Sequence, residues 1–99
     1  MMHLLDKNNK VIKIGDYFMF DYDNAVYPPV DYPNQLYRVT DIKTVWPREF
    51  NKFEIVYDVI VFNYENLSNS IISDAKSVRC RPYLRRVDGL ELTAELLKL

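Results

Sequence analysis

The chain has 99 residues, with 13 basic and 14 acidic side chains, a formal net charge of −1 and only two glycines. This length is enough for one hydrophobic core, so we expect a single domain over residues 1–99 and exclude a flexible linker. The slightly acidic balance argues against general attraction to nucleic acid.

Cysteine usage and hydropathy indicate the compartment. Cys80 is the only cysteine, which excludes an internal disulfide and is typical of a reducing environment. The first ten residues contain no apolar stretch long enough for a signal peptide, and no segment approaches the length of a membrane span. We therefore expect a cytoplasmic protein without a membrane partner.

The N-terminal third predicts two turns and a strand. Residues 6–10 read as a turn, because Asn8 and Asn9 tolerate the left-handed backbone that tight turns require. A second turn or bulge is expected at Gly15. The aromatic run 17–22 is typical of a strand.

Two further strands are predicted in the middle of the chain. Residues 35–46 have β character without strict alternation, which indicates a bulge or bend. Residues 53–62 are apolar on both faces, so we place this strand at the centre of the sheet. The polar residues 63–70 predict a loop.

The last strand is predicted over residues 77–87. Cys80 and Leu84 fall on its apolar face, and Pro82 makes it an edge or bulged strand because proline cannot donate to a ladder.

A short terminal helix is predicted over residues 92–99. Thr93 is its expected N-cap, and Leu92, Leu96 and Leu97 are expected to reach the sheet. The fold class is mainly β: a small SH3-like barrel, or a partly open antiparallel sheet, with a short C-terminal helix.

Two segments resemble a known group of proteins. Asp6 to Asp16 follows the pattern Asp-Lys-Asn-Gly-Lys-x-Ile-x-x-Gly-Asp, with Asn9 in place of the first glycine, and is similar to the opening of YopX-like and related small phage or prophage proteins. The segment Leu92 to Leu97 resembles a Leu-Thr-x-Glu-x-Leu motif near the C-terminus of many small phage-encoded proteins. The resemblance implies mobile-element origin, a β-rich barrel and no catalytic residues to carry over.

The residues themselves also argue against an enzyme. His3 is the only histidine, so a nucleophile has no histidine base beyond the chain's first residues. Metal binding lacks a closely spaced pair of ligands, and Asp21 and Asp23 do not have EF-hand spacing. We expect no catalytic residues, no metal and no cofactor.

An acidic and aromatic segment, DYDNAVYPPVDYP, spans residues 21–33 without any positive charge. It is either a solvated, proline-stiffened loop whose rings lie over the core, or a contact surface for a basic partner. Trp46 is either a plug at the edge of the core or an interface anchor. The candidate protein-binding residues are Asp21, Tyr22, Asp23, Tyr27, Asp31, Tyr32 and Trp46.

A basic segment lies in the last third of the chain. Its arginines interleave with an aromatic ring, a pattern that single-stranded nucleic-acid binding uses. They could instead pair with the acidic segment of the same molecule, or contact a protein. The candidate nucleic-acid-binding residues are Lys76, Arg79, Arg81, Tyr83, Arg85 and Arg86.

The sequence therefore favours a non-enzymatic accessory protein of a phage or mobile element that binds a host protein with a basic surface. A nuclease or ribonucleoprotein of host defence is the expected target, and an anti-CRISPR-like inhibitor is the most specific form of this hypothesis. The alternative is a small nucleic-acid-binding barrel that uses the arginine strand. A structural component of a phage particle is a third class.

Overall fold

The computed structural model of the chain describes residues 4–23, 32–45, 56–73, 75 and 80–99. The described elements are β1 (Tyr17–Phe20), β2 (Tyr37–Val45), β3 (Val56–Asn63), β4 (Ser68–Ile72), a 3-10 turn (Arg81–Tyr83), β5 (Leu84–Val87) and α1 (Gly89–Leu97).

The five described strands form one antiparallel sheet in the order β4-β3-β2-β1-β5. The prediction of a mainly β fold with a short C-terminal helix is confirmed, and the described sheet is open. The SH3-like barrel stays a prediction. Among the described helices, none is long and apolar enough to cross a membrane.

The middle strands correct two predictions. The strand predicted over 53–62 corresponds to β3, and its residues 53–55 lie outside the described part. It was predicted to be the central strand, but β3 lies between β4 and β2, and β2 is the middle strand of the five. Apolar residues on both faces fit any interior strand, so they do not specify the middle one. The prediction of a loop over 63–70 is wrong at both ends: β3 extends to Asn63, a turn occupies residues 64–67, and β4 begins at Ser68. The polar edge of a sheet gives little sequence signal.

The bulge predicted in β2 is confirmed by a register shift against β3 between Val39 and Asp41. Of the strand predicted over 77–87, residues 77–79 lie outside the described part, Pro82 lies in the 3-10 turn, and β5 begins at Leu84. β5 is an edge strand, as predicted. The turn also breaks the expected alternation, so Tyr83 packs half-buried against the core.

The core lies on one face of the sheet. Phe18 and Tyr37 stack with ring centroids 5.4 Å apart, and Phe20 meets Tyr37 edge-on at 5.8 Å. Cys80 is buried in this cluster, which confirms its predicted core packing. The other members of the cluster come from the N-terminal segment, from β2 to β5 and from the chain after β4: Leu4, Ile12, Val39, Tyr57, Val59, Val61, Ile72, Ala75 and Leu84.

The N-terminal turn is organised by the buried side chain of Asp6. Its Oδ1 accepts the backbone N–H groups of Asn8 and Lys10, each at 2.8 Å, and the backbone N–H of Asp6 donates to the Lys10 carbonyl. Asn9 adopts a φ of +62°, the left-handed conformation that the sequence predicts for this turn.

This turn also closes the outer edge of β5. The second carboxylate oxygen of Asp6 accepts the backbone N–H of Arg86 at 2.8 Å, and the Lys7 N–H donates to the Leu84 carbonyl at 2.8 Å. The buried carboxylate therefore holds three backbone N–H groups from two segments that lie at opposite ends of the chain.

We predict that Asp6→Ala lowers the free energy of unfolding by about 3 kcal/mol, because it leaves those N–H groups without their acceptor in a partly buried site. Urea denaturation of both proteins measures the difference. Asp23→Ala removes an exposed carboxylate and is the control, with an expected loss below about 0.5 kcal/mol. Equal losses in the two variants would contradict this role of Asp6.

Candidate functional site

The described start of the acidic segment is held by basic residues of the same molecule. Asp21 Oδ2 lies 3.1 Å from Lys7 Nζ and 3.6 Å from Arg85 Nε. The backbone N–H of Asp21 donates to the Tyr83 carbonyl at 2.7 Å. The N–H of Asp23 donates to Asp21 Oδ1, and this bond, followed by the Lys7 contact, lowers the pKa of the Asp21 carboxyl.

The described arginines of the basic segment also contact partners within the molecule. Arg81 donates to Asn9 Oδ1 at 2.7 Å, and Arg85 donates to Glu91 Oε1 besides approaching Asp21. Arg86 Nε lies within 4 Å of two carboxylates, and its guanidinium donates to the Val11 carbonyl. Of the described acidic segment, Asp21 contacts the basic segment, through the Arg85 ion pair and the backbone hydrogen bond to Tyr83, whereas the other contacts of these arginines go to residues outside the acidic segment.

The described tyrosines of the acidic segment belong to the core. The rings of Tyr22 and Tyr32 stack on Phe20 with centroids 5.9 and 5.2 Å away, and the Tyr22 hydroxyl donates to the Tyr32 carbonyl. Burial raises the pKa of the Tyr22 hydroxyl. Burial also raises the pKa of Tyr37 to about 12, helped by the negative charge of Glu65. These rings stabilise the sheet, in agreement with the loop interpretation of the segment.

One further candidate of the acidic segment, Asp23, is exposed. Five of the predicted site residues lie outside the described part of the chain: Tyr27, Asp31, Trp46, Lys76 and Arg79.

A surface that the sequence analysis missed lies on α1. None of the helix's nine residues, all of which the structure describes, is buried. Leu90 is 91% exposed and Leu97 is 80% exposed, whereas Leu92 is half-buried. The prediction that Leu97 reaches the sheet is therefore wrong, and Leu96 does so only in part, at 37% exposure.

The positions of the leucines around α1 explain this result. Residues seven apart differ by about 20° around a helix, so Leu90 and Leu97 share one side, together with the exposed Ala94. Leu92 and Leu96 fall on the other side, so one helix cannot turn all four leucines inward. Leu90, Ala94 and Leu97 form what we call the leucine stripe.

The helix also starts earlier than the sequence predicts. Asp88 precedes the first helical residue, and Thr93 is inside the helix, where its hydroxyl donates to the Gly89 carbonyl at 3.2 Å. This earlier start places Leu90 in the helix, and the i, i+4, i+7 spacing of Leu90, Ala94 and Leu97 would then have revealed the stripe.

An open cleft of about 540 Å³ separates the C-terminal end of α1 from the 64–67 turn. Leu67 and Leu99 line it from the two sides, and Met19 and Leu36 line it as well. Leu67 has a φ of +51°, an uncommon conformation for a leucine. This end of the helix therefore has apolar surface next to it in addition to the stripe.

Compared with known proteins, the chain matches no family model, no curated protein and no solved structure. The YopX-like resemblance consequently stays a prediction. Within the described ranges, no group of three or more His, Cys, Asp or Glu side chains is placed to hold a metal ion.

We predict that Asp21→Asn lowers the free energy of unfolding by up to about 1 kcal/mol at neutral pH, since it weakens two partly exposed ion pairs. The lowered pKa of Asp21 means that this contribution is present above about pH 4 and is lost as the pH falls through the folded-state value. Denaturation at about pH 7 and about pH 2 should show the difference shrinking. Asp23→Asn is the matched control, and a difference that persists in acid would contradict the assignment.

Proposed function

We propose that this chain is a non-enzymatic binding module that contacts a host protein through the leucine stripe of α1. The observation that carries the proposal is the exposure of Leu90 and Leu97, two turns apart on one side of a helix that buries no residue. A partner that covers them removes this apolar surface.

The length of α1 supports the same conclusion. Isolated helices shorter than about 12 residues are marginal in water, and most helices in proteins are stabilised by packing of an apolar side. α1 has nine residues, buries none of them fully, has Leu92 half-buried, and contacts β5 through the ion pair of Glu91 with Arg85. Insertion of an apolar helix face into a groove is a common mode of recognition, and a partner groove would supply the missing packing.

The charges beside the stripe favour a partner with a basic rim. The side chains of Asp88 and Glu91 contact Arg86 and Arg85 but remain 56% and 49% exposed, and Glu95 pairs with Lys98. Asp23 adds an exposed carboxylate to the acidic segment. An apolar groove bordered by arginine or lysine complements this pattern and would speed association. A nuclease or ribonucleoprotein with a basic surface is the class of partner that fits.

The biological setting comes from the resemblance of the Asp6–Asp16 turn to YopX-like and related phage proteins. It supports a mobile-element accessory protein acting in the cytoplasm of a bacterial host, with an anti-CRISPR-like inhibitor as its most specific form. The proposal includes the small SH3-like barrel that the pattern of short strands predicts, and the resemblance implies a β-rich barrel as well. In this proposal, Tyr22 and Tyr32 do not contact the partner; they pack against the core and fix the ends of the acidic segment to the sheet.

The nucleic-acid alternative has less support in the described residues. Arg81, Arg85 and Arg86 each contact an oxygen of the same molecule, and Tyr83 is half-buried against the core. A phosphate would have to replace those contacts, and a base would have to stack on a ring that packs against Tyr22 with centroids 5.3 Å apart.

We predict that the tagged chain retains a host protein from nuclease-treated lysate and that Leu90→Lys with Leu97→Lys removes it. Replacing two central apolar side chains with charged ones should weaken binding at least about 30-fold. Ile14→Lys is the matched control, because Ile14 is 61% exposed in the turn before β1. Mass spectrometry identifies the retained protein, and titration of the purified pair measures the affinity.

Two outcomes would contradict the proposal. Equal retention by the stripe variant and the Ile14→Lys control would exclude the stripe as the contact. Loss of every bound protein on nuclease treatment would favour the alternative of nucleic-acid binding through the arginines of the basic segment. Binding to single-stranded DNA with strong salt dependence would then be expected.

A further inference from the structure

The two edges of the described sheet differ in how they are covered. At β5, the Asp6 turn occupies the outer side. The backbone N–H of Lys7 donates to the Leu84 carbonyl, and the backbone N–H of Arg86 donates to the Asp6 carboxylate. At β4, no backbone hydrogen bond among the described residues joins Ser68–Ile72 to any segment other than β3. An edge strand of this kind presents a row of backbone donors and acceptors to a further strand.

β4 also carries none of the charged residues or prolines by which proteins commonly protect such edges. Residues 66–73, NLSNSIIS, contain no charge and no proline. The first four residues of β4 are exposed, and Ile71 is an apolar side chain with 58% exposure. Lysine, proline or an inward charge would ordinarily discourage pairing at an exposed edge. This edge has none of them.

We infer that β4 pairs antiparallel with β4 of a second copy of this chain. A second copy fits because an uncharged strand meets no like charge when it faces itself across a two-fold axis. In an antiparallel pair, directly opposed residues point to the same face of the sheet. The two-fold axis must therefore pass between two copies of the same residue, which sets the centre of the register. Centring on Ile71 brings the two exposed isoleucines together and removes both from water.

The covered β5 edge limits the assembly to two copies. Pairing through β4 joins the two described sheets into one continuous sheet whose two outer strands are both β5. Each β5 is closed by its own Asp6 turn, so the described strands leave no free edge for a third copy. The interface is therefore isologous and closed, and it uses none of the residues of the leucine stripe. The inference is therefore tested independently of the proposed function.

Sedimentation velocity over a series of protein concentrations tests the inference. The wild-type chain should shift from the monomer to the dimer mass with rising concentration and form no larger series. Ile71→Lys should raise the dimer dissociation constant at least about tenfold, because it places two like charges opposite each other. Ile14→Lys, with similar exposure but far from β4 in the chain, should dimerise like the wild type.

A cross-link tests the register and does not depend on the lysine variant folding. Facing Cα atoms in an antiparallel pair lie about 4.5–5.5 Å apart, within the range that a disulfide spans. Ile71→Cys should therefore form a covalent dimer under mild oxidation on a non-reducing gel, whereas Ile14→Cys should not. The native Cys80 is buried and is the same in both variants.

A wild-type chain that stays monomeric throughout the concentration series would overturn the inference. A dimer that persists unchanged in Ile71→Lys would overturn it as well. Equal rates of cross-linking in Ile71→Cys and Ile14→Cys would exclude the Ile71-centred register.

Discussion

The buried carboxylate of Asp6 is the interaction on which the described fold depends most. An ionised group in the interior is costly unless its oxygens receive hydrogen bonds, and Asp6 receives three from backbone N–H groups. Two of these bonds shape its own turn, and the third fixes Arg86 in β5. A single side chain thereby joins the start of the chain to its last strand. The same contact covers the β5 edge, which leaves β4 as the uncovered edge among the described strands.

The charged side chains around the N-terminal turn, β5 and the start of α1 form ion pairs within the molecule. Asp21 lies between Lys7 and Arg85, and Arg86 lies between Asp16 and Asp88. Such ion pairs contribute little stability each, but together they orient the N-terminal turn, β5 and the start of α1. The surfaces with unused binding capacity are consequently apolar or neutral ones, the leucine stripe and the β4 edge. Neither contains a residue that the sequence analysis singled out as a candidate site.

Local signals in the sequence were read correctly where one residue type decides the backbone. The left-handed Asn9, the irregularity in β2, the edge position of β5 and the burial of Cys80 follow from turn propensity, spacing, proline chemistry and hydropathy. β4 was missed because its exposed serines and asparagine resemble a loop. The prediction that Leu97 reaches the sheet together with Leu92 was wrong because the two side chains lie about 140° apart around the helix.

The β-rich class, the turn at residues 6–10, the short C-terminal helix and the two oppositely charged segments can all be inferred from residues close together in the chain. The ion pair of Asp21 with Arg85 and the inward packing of Tyr22 and Tyr32 become visible only in the folded structure. It also decided which sheet edge is covered. Those outcomes depend on contacts between residues far apart in the chain, as between Asp6 and Arg86, and no local pattern specifies which distant segments meet.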